Sequence, residues 1–152
     1  MGCSLPLKNS LQPASLRYEE VRIGQVFSFE RTLLESDIQT FASLTGDTSP
    51  LHVDPAYGKK TRFGKNVAHG MLAGSLFSTL IGMFCPGERS LYLSQTLQFK
   101  KPIFPGDSVK VQGTVTAKSD STQIITLATE ILVRGEKAIS GEALAQFRGE
   151  TP

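Results

Sequence analysis

The stretch that decides the fold is Gly70-Met71-Leu72-Ala73-Gly74-Ser75-Leu76-Phe77-Ser78-Thr79-Leu80-Ile81-Gly82-Met83-Phe84, followed by Cys85-Pro86-Gly87. Its apolar residues fall almost all round a helical wheel, which predicts a helix buried on most sides. Pro86 and Gly87 stop it. Gly74, Ser75, Ser78, Thr79 and Gly82 interrupt the run, which stays short of the ~20 apolar residues of a membrane span. The helix therefore belongs in a protein core.

Beyond it the period changes from helical to alternating. Leu91, Leu93, Leu97 and Phe99 read as one long strand ending before Pro102 and Pro105. Val109, Val111 and Val115 make a second, 125–133 a third and 138–147 a fourth. Pro105-Gly106-Asp107, 118–121 and Arg134-Gly135 are the turns between them. Toward the N-terminus lie a short strand around Val26, Phe27 and Phe29, then a helix with Ile38, Phe41 and Ala42 on one face. Ser36 and Gln39 have capping-box spacing at its start, and Gly46 ends it. Hairpin-sized turns imply an antiparallel sheet, and one helix to cover it gives an α+β architecture. Such a helix covers one face only, so the open side and the sheet edge invite a second copy, and a homodimer is expected.

The chain has 152 residues, of which 39% are hydrophobic and 20% charged, and this is the composition of a single globular domain. Residues 1–18 are expected to be a flexible tail or a short transit segment, and 19–150 the folded domain. A net charge of +2, evenly scattered, provides no basic face for nucleic acid. Cys3 and Cys85 form neither a disulfide framework nor a zinc spacing. A reducing compartment fits, the cytoplasm first and the mitochondrial matrix as the alternative.

From residue 47 to residue 65 the text is turn chemistry, with Pro50, Pro55, Gly58 and Gly64, and a connection this long is usually functional. It holds Asp47, Ser49, His52 and Asp54 within eight residues. If Pro50 forces a turn, Asp47 and His52 converge on one water as a general acid/base pair. The same residues also read as a helix cap, Asp47 and Ser49, with His52 packed against it. His69-Gly70 opens the buried helix, where free N–H groups and the positive dipole end suit a developing oxyanion. A plain glycine cap with a structural His69 is the alternative. Ser78 defaults to a core serine bonded back to the helix. Lys59, Lys60, Arg62 and Lys65 form a basic run that is either solvated or placed for an anionic carrier.

The ordered set Thr45-Gly46-Asp47-Thr48-Ser49-Pro50-Leu51-His52-Val53-Asp54-Pro55-Ala56, Phe63 and Ala68-His69-Gly70-Met71-Leu72 resembles the hydratase motif of the MaoC-like hotdog family. Ser75 to Ser78, Pro86-Gly87, Tyr92 to Phe99 and Pro105-Gly106-Asp107 extend the resemblance from about residue 20 onward. It is nearest to (R)-specific enoyl-CoA hydratases. The resemblance implies a hotdog fold, in which the sheet wraps the buried helix, and a dimer with joined sheets. It implies reversible hydration of trans-2-enoyl thioesters to (R)-3-hydroxyacyl thioesters, without metal or other cofactor. By the same resemblance Asp47 and His52 are the catalytic pair, and Gly70 holds the thioester oxygen. Ser78 lies close to the catalytic group, and Ile81 is expected to face the same acyl slot. Ser49 stands where the family commonly has Asn, and serine is expected still to cap the turn that orients His52.

The same chemistry would serve polyhydroxyalkanoate monomer supply or fatty-acid breakdown. With acyl carrier protein in place of coenzyme A it becomes the 3-hydroxyacyl-carrier dehydratase of type II fatty-acid synthesis. A hotdog thioesterase, a non-catalytic acyl-thioester-binding module and a purely structural dimerisation domain are the competing readings.

Overall fold

Alternation in three consecutive strands builds the floor of the molecule. The structure is a computed structural model that describes residues 12–149. Strands β4 (Ser108–Ser119), β5 (Ile124–Val133) and β6 (Glu136–Phe147) pair in sequence order, antiparallel. Val109, Val111, Ile125, Leu127, Ile131 and Ile139 all point to one face and are fully or almost fully buried. β1 (Val26–Thr32) adds to β4, and β2 (Ser90–Gln95) adds to β6, giving the order β1-β4-β5-β6-β2. β3 (Gln98–Phe99) also pairs with β6. Arg134 and Gly135, both at positive φ, make the two-residue β5–β6 turn.

The expected strand over Leu91 to Phe99 is divided. β6 pairs with β2 and β3 in turn, and between them Leu97 leaves the ladder to pack over Gly74 of the buried helix. The ladder also shifts register between Tyr92 and Ser94, so the expected alternation is interrupted twice.

Helix α4 (Gly70–Thr79) continues through one wider turn, Leu80–Phe84, and lies on the inner face of the sheet. Phe77 and Leu80, both inaccessible to solvent, pack among Val109, Val111, Ile131 and Ile139. Burying a phenylalanine of this kind contributes about 1.5–3 kcal/mol. Ile81 belongs to a second cluster with Tyr18, Val21, Cys85, Ile125 and Leu127. The antiparallel sheet curved on one long helix is the expected α+β hotdog architecture.

Two local expectations change. Helix α1 (Glu35–Thr45) begins without a Ser36–Gln39 box; the Asp37 carboxylate accepts the Leu34 N–H at 2.9 Å, and Gln39 bonds Glu35 instead. Residues 14–18, expected within the tail, are held in the fold. The Ala14 N–H donates to the Met83 carbonyl at 2.9 Å, Glu88 N–H donates to the Ala14 carbonyl, and Tyr18 is buried. Gly87 permits this approach, because a Cβ there would lie 1.8 Å from the Ala14 carbonyl oxygen. Residues 1–11 of the expected tail lie outside the described residues, as does the expected domain end at residue 150. Among the described residues, no helix is long and apolar enough to cross a membrane.

Candidate active site

Gly46 ends α1 in the left-handed conformation, with its N–H on the Ala42 carbonyl at 2.8 Å, and so turns the chain at Asp47. The Asp47 carboxylate accepts the Ser49 N–H through Oδ1 at 3.2 Å, a local Asx turn, and its side chain stays half exposed. The segment expected to be irregular contains two short helices, α2 (Pro50–Val53) and α3 (Pro55–Lys60), each opened by a proline. Asp54 caps α3 by accepting the N–H groups of Ala56 and Tyr57. Asn66 closes the loop by donating to the carbonyls of Pro50, Leu51 and Asp54 at 2.9–3.2 Å.

Ser49 is the residue that precedes α2, but its side chain makes no cap bond. The orientation of His52 has another source, because its Nδ1 lies 2.6 Å from the Val67 carbonyl oxygen. A carbonyl only accepts, so Nδ1 carries the hydrogen and the neutral ring presents its lone pair at Nε2. The hydroxyl at position 49 is therefore dispensable for aiming the imidazole.

His69 lies at the N-terminus of α4, 2% exposed. Its Nε2 is 3.0 Å from the Asp47 carbonyl oxygen and 3.9 Å from the Asp47 carboxylate. The first is a hydrogen bond and the second is too long to be one, which leaves the outer carboxylate oxygen for a ligand. The imidazoles of His52 and His69 stack with centroids 4.0 Å apart. Asp47, His52 and His69 each bring a donor atom within 4.8 Å of the others, close enough to share a water or a cation.

These residues open onto a cavity of about 650 Å³ whose walls include Phe41, Leu51, Val67, Ala73, Ile103 and Ile139. Gly70 lines it as the first residue of α4, whose leading N–H groups have no partner within the helix. Phe99 packs so closely that a Cβ at residue 70 would lie 2.8 Å from its ring. The glycine thus serves packing as well as access to the backbone. A largely apolar chamber lined also by a carboxylate, an imidazole and the first residue of a helix suits an acyl chain whose polar head undergoes proton transfer.

Asp47, His52 and Gly70 come together as the sequence implies, whereas Ser78 and Ile81 do not join them in this cavity. Ser78 is solvent-exposed and Ile81 is in the second core cluster. The reason is helical rise, which carries them about 12 and 16 Å along the axis from Gly70. Of the basic run, only Arg62 reaches the cavity. Lys65 lies over the Phe104 ring at 4.3 Å, and Lys59 and Lys60 are exposed on the last turn of α3. Lys100 and Lys101 flank the cavity as well. These two follow a strand far from the motif in the sequence, so no local pattern marks them.

Residues 19–137 match the MaoC like domain family. The chain belongs to that family. It is 40% identical over 130 residues to an (R)-specific enoyl-CoA hydratase of Aeromonas caviae, covering 85% of this chain and 97% of that one. A mitochondrial 3-hydroxyacyl-[acyl-carrier-protein] dehydratase of Solanum lycopersicum is 36% identical over 130 residues, with coverage of 84% and 78%. The solved (R)-hydratase from A. caviae involved in PHA biosynthesis superposes with a TM-score of 0.82 at 39% identity, over 85% of this chain and 98% of that one. The MaoC-like hotdog domain is thus established by family and by fold.

Proposed function

We propose that this MaoC-like domain is a hydro-lyase, an (R)-specific enoyl-CoA hydratase that adds water reversibly to trans-2-enoyl-CoA to give (R)-3-hydroxyacyl-CoA. The observation that carries the reading is the convergence of the Asp47 carboxylate and the His52 imidazole, within 4.8 Å of each other, on the wall of one largely apolar cavity. The names of the relatives agree with it.

A water held by the pair donates one hydrogen toward His52 Nε2, whose lone pair is set by the Nδ1–H bond to Val67. Its second hydrogen faces the acceptor-only carboxylate of Asp47. As the oxygen adds to the β-carbon, negative charge passes to the thioester oxygen. N–H groups at Gly70 and the dipole of α4 stabilise that enolate more than the ground state. The proton taken by the pair returns to the α-carbon on the same face, so H and OH add syn and nothing is left over. Arg62, Lys100 and Lys101 at the cavity suit the phosphates of coenzyme A. Carrier-protein dehydration is the same equilibrium on another carrier, and the likeness to the tomato dehydratase supports it as the second reading. The homodimer belongs to the same proposal.

Purified protein with crotonyl-CoA decides it. Loss of enoyl-thioester absorbance with (R)-3-hydroxybutyryl-CoA as product and no free thiol is expected. Thiol release would make it a thioesterase, and inertness toward every chain length and both carriers would leave a binding module.

A further inference from the structure

His69 is unexplained by the hydration chemistry itself, yet it touches each part of the site. Its Nε2–H holds the Asp47 carbonyl at 3.0 Å across 22 positions of sequence. One ring face stacks on His52 at 4.0 Å with an interplanar angle of 29°, and Phe41 backs the ring at 4.9 Å. Its own backbone precedes Gly70 and accepts the Ala73 N–H that starts α4. Among the described residues, Nδ1 is buried without a hydrogen-bond partner. A buried imidazole with one nitrogen orphaned is retained against a desolvation penalty that a phenylalanine or leucine would avoid. Filling space therefore does not account for it.

The geometry accounts for what the other contacts leave free. One hydrogen bond to Val67 fixes the direction of the His52 Nδ1–H but lets the ring turn about that bond. The stacked face of His69 removes this rotation and sets where Nε2 points. Likewise the Asx turn fixes the Asp47 carboxylate only relative to its own main chain, at an exposed helix end. The Nε2–H bond anchors that main chain to the start of α4. We propose that His69 is the positioning residue of the site, holding the Asp47 main chain and the His52 ring plane in register with the Gly70 N–H. This rests on the hydration reading, in which those three groups act on one substrate.

The test uses the purified full chain and crotonyl-CoA, with kcat, KM and circular dichroism measured together. His69→Phe keeps the aromatic packing and removes the N–H, while His69→Gln keeps an amide N–H within reach of the Asp47 carbonyl. Expected is a fall in kcat of at least about tenfold for His69→Phe with KM within about threefold, and partial recovery in His69→Gln, which restores the N–H to the Asp47 carbonyl but not the ring stacked on His52. In an Asp47→Asn background, His69→Phe should change the residual rate by less than about twofold, because it acts through that residue. A folded His69→Phe enzyme within about twofold of the parent kcat overturns the proposal, as does an undiminished effect on top of Asp47→Asn. Should His69→Phe not fold, His69→Gln against His69→Asn makes the same comparison, since the shorter amide falls short of the carbonyl. Equal kcat in that pair overturns it, and an advantage of about fivefold or more for Gln supports it. If Asp47→Asn itself turns over like the parent, the hydration reading falls and takes this inference with it. If only the His69 variants behave like the parent, this inference falls alone.

Discussion

Asp47 ends up beyond a left-handed glycine with its outer carboxylate oxygen free, and His52 is held through Nδ1 so that Nε2 is free. Neither side chain is needed by the core, so replacing either should leave the fold intact. Asp47→Asn or His52→Ala should lower turnover of crotonyl-CoA at least about a hundredfold, as loss of a general acid or base does. Parent-like turnover in either folded variant would remove the pair from the chemistry. Gly70 differs, because its side-chain position is occupied by the Phe99 ring. Phe99 is 54% exposed and has room to move, so Gly70→Ala should be destabilised only at the low end for overpacking, about 1 kcal/mol, or roughly 2–4 °C in Tm. Adding Phe99→Ala should relieve that loss in a thermal melt. The motif residues were legible in the sequence because Asp47, His52 and Gly70 keep a fixed order and spacing. The hydrogen bonds that aim them were not, since the acceptor for His52 is a main-chain oxygen that carries no sequence signal.

At the scale of elements, strands β4 to β6 were legible because a half-buried strand must alternate, and Val109, Val111, Ile125 and Leu127 do so. Helix α2 was legible only as the helix that Asp47 and Ser49 would cap, and α3 was hidden. At 4 and 6 residues both are too short to show a period. Ser78 and Ile81 lie farther along the helix than the cavity reaches in one copy, because positions that share a helical face are still separated by the rise along the axis. The β5–β6 hairpin provides a pH test. Glu130 accepts from Lys137 at 2.5 Å and from Gln112 at 3.0 Å, and the Lys137 bond first of all holds its carboxyl below the ordinary carboxylate range. A pKa lowered by folding contributes stability above the unfolded value, about 4.3, that is lost as pH falls through the native one. Glu130→Gln should therefore melt below the parent at pH 7 by no more than about 1 kcal/mol, given a pair partly open to solvent. The gap should close as pH falls below about 4. A gap that persists at pH 3 would assign the effect to packing.

At the scale of the whole molecule, the sheet has two open edges, β1 and β2, and the second carries the larger apolar surface. Tyr92 turns inward to both core clusters, so its neighbours Leu91 and Leu93 point the other way, 47% and 43% exposed. Met71 and Phe99, at 58% and 54%, are likewise exposed where α4 begins. A monomer that left a strand edge and these side chains in water would invite uncontrolled association. Pairing β2 with β2 of a second copy would satisfy the edge and cover the leucines by one two-fold operation. The expected outcome is sedimentation of the parent at about twice 16.5 kDa. Changing Leu91 and Leu93 to Lys should shift it to the single-chain mass without unfolding it, because both side chains already face solvent in one copy and neither fills the core. Equilibrium sedimentation with circular dichroism reads both quantities. A parent that sediments as one chain across micromolar concentrations would leave β2 an unpaired edge and the site complete within a single copy.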